Sequence, residues 1–199
     1  MNGDFDRDNK WQRQVRDHVL APGFYGSYAF DGRYVFIDKG RLATLLQKRY
    51  AVDTIVQGKD GAALCIEEKI VRWPGYRYKC YALETESCTV AGHESAGWMV
   101  YGQADYLLYG FMRPDCLDIH LIDFPKLQRW FFSEEHEPFE RFGPLDTRNR
   151  SQGDKVPIDQ VKANVPVWQR TIWPDPSDSL FAELFPAAAE SAALVEALP

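Results

Sequence analysis

Three charged residues set in two apolar stretches give the sequence its clearest chemical signal. They are Asp53 in AVDTIV (51–56), and Glu67 and Lys69 in AALCIEEKIV (62–71). Side chains alternate between the faces of an extended strand, so Glu67 and Lys69, two apart, share a face. Lys59-Asp60-Gly61 predicts a tight turn between the stretches, hence an antiparallel pair with Asp53 across from Glu67 and Lys69. Two neighbouring carboxylates repel each other and favour a hard cation between them. Mg²⁺ or Mn²⁺ takes oxygen ligands and keeps several waters, leaving room for a phosphate oxygen. Such an ion polarises the phosphate and acidifies a water, and an adjacent ammonium orients that water or stabilises the charge that develops. Phosphodiester hydrolysis needs little more. The same residues also fit a solvated strand end, with Asp53 partnering Arg72. Against that, three consecutive charges inside an apolar run are costly to bury. Glu68 points to the opposite face, where the solvated alternative is the simpler one.

The surrounding elements follow from periodicity and punctuation. Residues 6–20 predict a helix with Trp11, Val15, His18 and Val19 on one face, ended by Pro22-Gly23. Gly26–Phe30 and Arg33–Ile37 predict a hairpin turning at Asp31-Gly32. Asp38 opens a helix to about residue 49, with Leu42, Leu45 and Leu46 as its apolar stripe. Further strands are expected at 76–87, 104–112 and 117–124, and a helix at 125–132 with Pro at its first position. Residues 143–156 suggest a loop. A single domain over 1–174, with its core at about 38–124, precedes a short helix (Ser179–Phe185) and an Ala-rich tail within 175–199.

The stretch KIVRWPGYRYK (69–79) holds four basic residues and no acidic one. Arg72, Arg77 and Lys79 suit phosphates, and Trp73 suits a base face; an exposed hairpin with cross-strand aromatic pairs fits equally. The chain of 199 residues carries a formal net charge of −6, which argues against coating nucleic acid non-specifically but allows a nuclease with a local basic rim. The four cysteines form no CxxC pair, and a Cys80–Cys88 bridge has nothing to favour it. In HESAGW (93–98) the His is expected to be exposed at a loop, and EEHE (134–137) to be a solvated helix end rather than a zinc site. A polar N-terminus and the lack of a membrane-length apolar run predict a cytoplasmic protein with no membrane partner.

The order of helix, strand with Val52-Asp53, turn, and strand with Glu67-Glu68-Lys69 resembles the PD-(D/E)XK, or restriction-endonuclease-like, nuclease superfamily. The layout over Asp38 to about Phe111 is similar to Holliday-junction-resolvase-like and phage nucleases; Val52 stands where the family often has Pro. The resemblance implies an α/β fold with a central mixed β-sheet flanked by helices. It implies Asp53 and Glu67 as metal ligands, Lys69 as the catalytic lysine, and Mg²⁺ or Mn²⁺ as cofactor. Asp38 would supply a further metal ligand, although the family's residue is usually a Glu within the helix. Glu84 and Gln103 are peripheral members. The expected function is a metal-dependent deoxyribonuclease acting on DNA in recombination, repair, restriction or phage DNA processing, working as a homodimer. The rivals are an inactive nuclease-fold binding module and a phage-type inhibitor of a nucleic-acid enzyme.

Overall fold

The computed structural model describes residues 10–26, 33–37, 40–58, 60–72, 79–87, 95–143, 151–173 and 184. Strand β3 (Ala63–Val71) pairs antiparallel with β2 (Thr54–Gln57) and parallel with β6 (Tyr106–Met112). Beyond β2 lies β1 (Tyr34–Phe36); beyond β6 lie β7 (Leu117–Asp123) and β10 (Val167–Ile172), all paired antiparallel. The six strands form one mixed sheet, β1-β2-β3-β6-β7-β10, in an α/β fold. Every residue of β6 after Tyr106 is buried, as expected for a central strand covered on both faces.

The two faces pack different layers. On the back, Ile66, Ile70, Leu108 and Met112 meet Val15, Val19, Leu20 and Phe24 of the N-terminal helix α1. This helix is α-helical at 10–15 and π-helical over Arg16–Tyr25. It therefore runs past Pro22, where the sequence predicted its end. The wider turn is closed by Gly26 N–H donating to the Ala21 carbonyl at 2.7 Å, and it accommodates a residue that cannot donate and would crowd an α-helical turn.

On the front, Leu107, Tyr109 and Phe111 meet a second, antiparallel sheet of order β5-β4-β9-β8. Its strands are β4 (Cys80–Ser87), β5 (Ser95–Ala96), β8 (Glu140–Phe142) and β9 (Gln152–Pro157). The loop predicted at 143–156 is thus partly strand: Gln152–Pro157 is held by pairing with β4 rather than by apolar alternation of its own. Among the described residues the further helices are α2 (Gly40–Tyr50), α3 (Trp98–Tyr101), α4 (Phe124–Phe131) and α5 (Ile158–Asn164). Asp123 caps α4, accepting from the Lys126 amide at 3.0 Å, with Pro125 in the first turn. In α2 the inward face is Ala43, Leu46 and Tyr50, while Leu42 and Leu45 are 65% and 41% exposed, so the predicted leucine stripe is corrected. The hairpin half at Gly26–Phe30 and the tail helix at Ser179–Phe185 lie outside the described residues, apart from Gly26 and a buried Leu184. Among the described residues no helix is long and apolar enough to cross a membrane.

Candidate functional site

The β2–β3 turn sets the register on which the site depends. Gly61 has φ +83°, a conformation open to glycine, and the Asp60 carboxylate accepts from the Ala62 amide at 3.0 Å. Thr54 then pairs with Ile66, and the Asp53 amide donates to the Ile66 carbonyl at 2.9 Å. Asp53 stands opposite Glu67 on the front face, as the sequence predicted. One Asp53 oxygen accepts from the Glu68 amide at 3.0 Å and the other from the Gln47 side chain of α2 at 3.3 Å.

Glu67 is 4% exposed. Burial pushes its carboxyl up to about 8, against the pull of Lys69, and the Asp53 carboxylate raises it further by charge and hydrogen bonding. The Lys69 ammonium lies 2.9 Å from Glu67 and over the Trp98 ring, 5.2 Å from its centre. Burial works against its charge, but Glu67, Asp53 and Glu84 outweigh that and hold it protonated. The solvated-strand-end alternative does not survive for Glu67.

Nor does it survive for Glu68. On the back face its carboxylate accepts from the Tyr25 hydroxyl at 2.7 Å and the Thr54 hydroxyl at 2.5 Å. Burial and the Asp53 charge raise it to about 7, while these hydroxyls and Arg16 hold it down. Asp53, Glu67 and Glu68 therefore form one acidic group spread through the sheet, with Glu67 buried and the other two half-buried.

Two front-face neighbours escaped the sequence-based expectation. Tyr101, at the end of α3, has its hydroxyl pKa raised by burial and then by Glu67, with Glu84 and Asp53 adding and Lys69 opposing. Trp98, from the same short helix, covers Lys69. Gln128 of α4 fixes this helix, donating to the Met99 and Gly102 carbonyls at 3.0 Å each. No local pattern in WMVY marks these residues, because their partners lie on other elements.

Glu84 joins the site through its field on Lys69 and Tyr101. A register shift between Glu84 and Glu86 bends β4 there, and two glycines pinch it. A Cβ on Gly153 would lie 2.0 Å from the Leu83 carbonyl oxygen, and one on Gly97 2.4 Å from that of Glu84. Gln103 is exposed, and its amide donates to the Tyr50 carbonyl at 2.8 Å. Among the described residues no hydrogen bond or ion pair joins it to the carboxylates.

Of the expected basic rim, Arg72 and Lys79 lie among the described residues, and neither joins the carboxylate face. Arg72 belongs to the back face, with its guanidinium 4.2 Å from the centre of the Trp11 ring in α1. The reason is parity: Arg72 is three residues from Lys69, and odd spacing along a strand changes sides. Lys79 precedes β4 by one residue, five residues from Glu84 and so on the order of 16 Å away along an extended chain. Asp38, Trp73 and Arg77 lie outside the described residues, as do His93, Glu94 and Cys88. His136 packs tilted against Phe139, ring centres 4.3 Å apart, and its Nε2 faces the Trp130 and Phe131 carbonyls at the end of α4. Cys65, Cys80 and Cys116 are free thiols.

Asp53 and Glu67 fit a hard divalent cation in donor chemistry. Both offer carboxylate oxygens with lone pairs left after their hydrogen bonds, and a pair of acids of which one is buried gains from positive charge. Among the described residues no group of three or more His, Cys, Asp or Glu is arranged as a metal cluster. No family model, curated protein or solved structure matches the chain.

Proposed function

We propose that the protein is a divalent-metal-dependent deoxyribonuclease that hydrolyses phosphodiester bonds at the Asp53–Glu67–Lys69 face. The observation that carries the proposal is the convergence of these three side chains. Two carboxylates from adjoining strands meet on the front of the sheet, one of them buried, and a protonated lysine is bonded to that one. Burial makes such an arrangement costly unless a cation and a substrate repay it. The run of α2, the antiparallel β2–β3 pair and the parallel β6 supports the resemblance to restriction-endonuclease-like proteins.

Asp53 and Glu67 would hold Mg²⁺ or Mn²⁺. The bound ion would polarise the phosphate and make a water acidic enough to attack. Lys69 is kept charged beside them and stabilises negative charge that builds on the phosphoryl oxygens as the water oxygen bonds to phosphorus and the leaving oxygen departs. Trp98 limits solvent around the ammonium, which strengthens that interaction. Gln47 and the Glu68 amide fix the Asp53 carboxylate so that it need not reorganise.

The test is cleavage of linear, branched and single-stranded DNA with Mg²⁺ or Mn²⁺. Lys69→Ala is expected to lower the rate by at least about a hundredfold while DNA binding is largely kept. Failure to cut any of the three substrates with either ion refutes the enzymatic proposal; retained DNA binding in that case would leave a binding module. A homodimer and a role in recombination, repair or phage DNA processing belong to the same proposal, through the resemblance alone.

A further inference from the structure

We propose that the cavity between β7, β10, α5 and the start of β4 binds a phosphate-type oxyanion. The cavity has a volume of about 480 Å³. Lys79 and Lys162 line it, with Asp159 opposing them. A second acid in the lining, Asp118, is already engaged: it accepts from Arg113 at 3.1 Å and from the Thr171 hydroxyl at 2.6 Å. Among the described residues neither the Lys79 nor the Lys162 ammonium has an ion-pair partner. In a chain of net charge −6 this concavity therefore gathers positive charge that its own acids do not neutralise.

The floor is polar and built. His120 is 4% exposed; its Nδ1 lies 2.6 Å from the Tyr81 hydroxyl, and its Nε2 meets the Gln169 side-chain amide. A rim of ammonium groups over fixed polar groups is chemistry that recognises a phosphate oxyanion.

Lys79 supplies an independent sign. Its φ is +46°, in the left-handed region that residues other than glycine rarely adopt. The Ile158 amide donates to its carbonyl at 3.0 Å and holds that conformation beside the cavity. Glycine would adopt the same backbone with less strain, so what lysine adds here is an ammonium at the rim.

The sheet links this cavity to the carboxylate face. Lys69 pairs with Tyr109, Tyr109 with His120, and His120 with Gln169, all in register on the front. Three strand spacings separate Lys69 from Gln169, about 14 Å. The phosphate could be one of a nucleic-acid strand or that of a small phosphorylated ligand. The inference does not rest on the nuclease proposal.

The experiment measures binding of inorganic phosphate, and separately of a labelled single-stranded oligonucleotide, to the wild-type chain and to Lys79→Gly and Lys162→Ala. Both lysines are exposed, so the variants keep the fold. Phosphate is expected to bind the wild type, with each substitution weakening it roughly tenfold. Lys79→Gly should also melt no lower than the wild type, since strain is relieved, which separates loss of an ammonium from loss of structure. If the oligonucleotide weakens in step, with its salt slope falling by about 0.7 per lysine removed, the source is a strand. If only phosphate weakens, the source is a small ligand. No phosphate binding by the wild type, or binding unchanged in both variants, overturns the inference. DNA cleavage is not measured, so this outcome is separate from that of the nuclease test.

Discussion

Glu67→Gln gives the sharpest test of the buried Glu67 carboxyl. In the metal-free chain Glu67 titrates at about 8 instead of 4.5, chiefly through burial. Its folded pKa is raised above the unfolded one, so its contribution to stability is full below pH 4.5 and is lost as pH rises through 8. The ceiling on that loss is ~5 kcal/mol, with a slope of at most about 1.4 kcal/mol per pH unit. For a chain of this size that corresponds to roughly 10–20 °C in Tm. The glutamine amide keeps the shape of the carboxyl and cannot ionise, so the variant should lack this slope. Thermal melts in chelator at pH 5, 6, 7 and 8 measure it. Glu68 and His120 titrate in both chains and cancel in the comparison. Adding Mn²⁺ at about a hundred times its dissociation constant should recover ~2.7 kcal/mol in the wild type at pH 8. Recovery should be smaller at pH 5, where a proton competes, and smaller in the variant. Parallel pH curves for the two chains in chelator would mean that Glu67 is already ionised in the fold, and the burial argument would be refuted.

Other perturbations have equally definite outcomes. His120 is held down at about 4, first by burial and then by Lys162. Its folded pKa is depressed, so the stability tied to it is present above pH 6.5 and lost towards pH 4, by up to ~3 kcal/mol; His120→Gln should flatten urea unfolding across that window. Gly153→Ala places a methyl 2.0 Å from the Leu83 carbonyl oxygen, backbone that cannot yield without moving β4. It should cost more than about 2 kcal/mol in denaturant unfolding. It should also weaken DNA cleavage through the displaced Glu84.

Period and punctuation were enough to anticipate the β2–β3 pair and the shared face of Asp53, Glu67 and Lys69. A glycine turn and two-residue alternation are local properties, and they set the register directly. Local properties also held the correct side for Arg72, whose odd spacing from Lys69 sends it to the back and away from the rim its basic neighbours suggested. What the sequence does not expose is contact between distant elements. Tyr25 reaches Glu68 across 43 positions, and Gln128 steadies the helix bearing Trp98 and Tyr101 from another element altogether. The strand at Gln152–Pro157 was hidden for a related reason: Gly153 fits because β4 passes too close for any side chain, a demand set by the partner strand. The helix past Pro22 defied a reliable stop signal because a π-turn changes which carbonyl a given amide must reach.

The hydroxyl of Tyr25 ties the N-terminal helix to the rear of the strand whose other side carries the reactive groups. Removing or displacing that helix would leave a concealed acid with only the Thr54 hydroxyl donating to it, and the strand would lose its backing at Glu68. Damage would then reach the front without any front residue being altered. Fusions, truncations and tags at this end of the chain thus act on the same strand as the substitutions that would be made to study its chemistry.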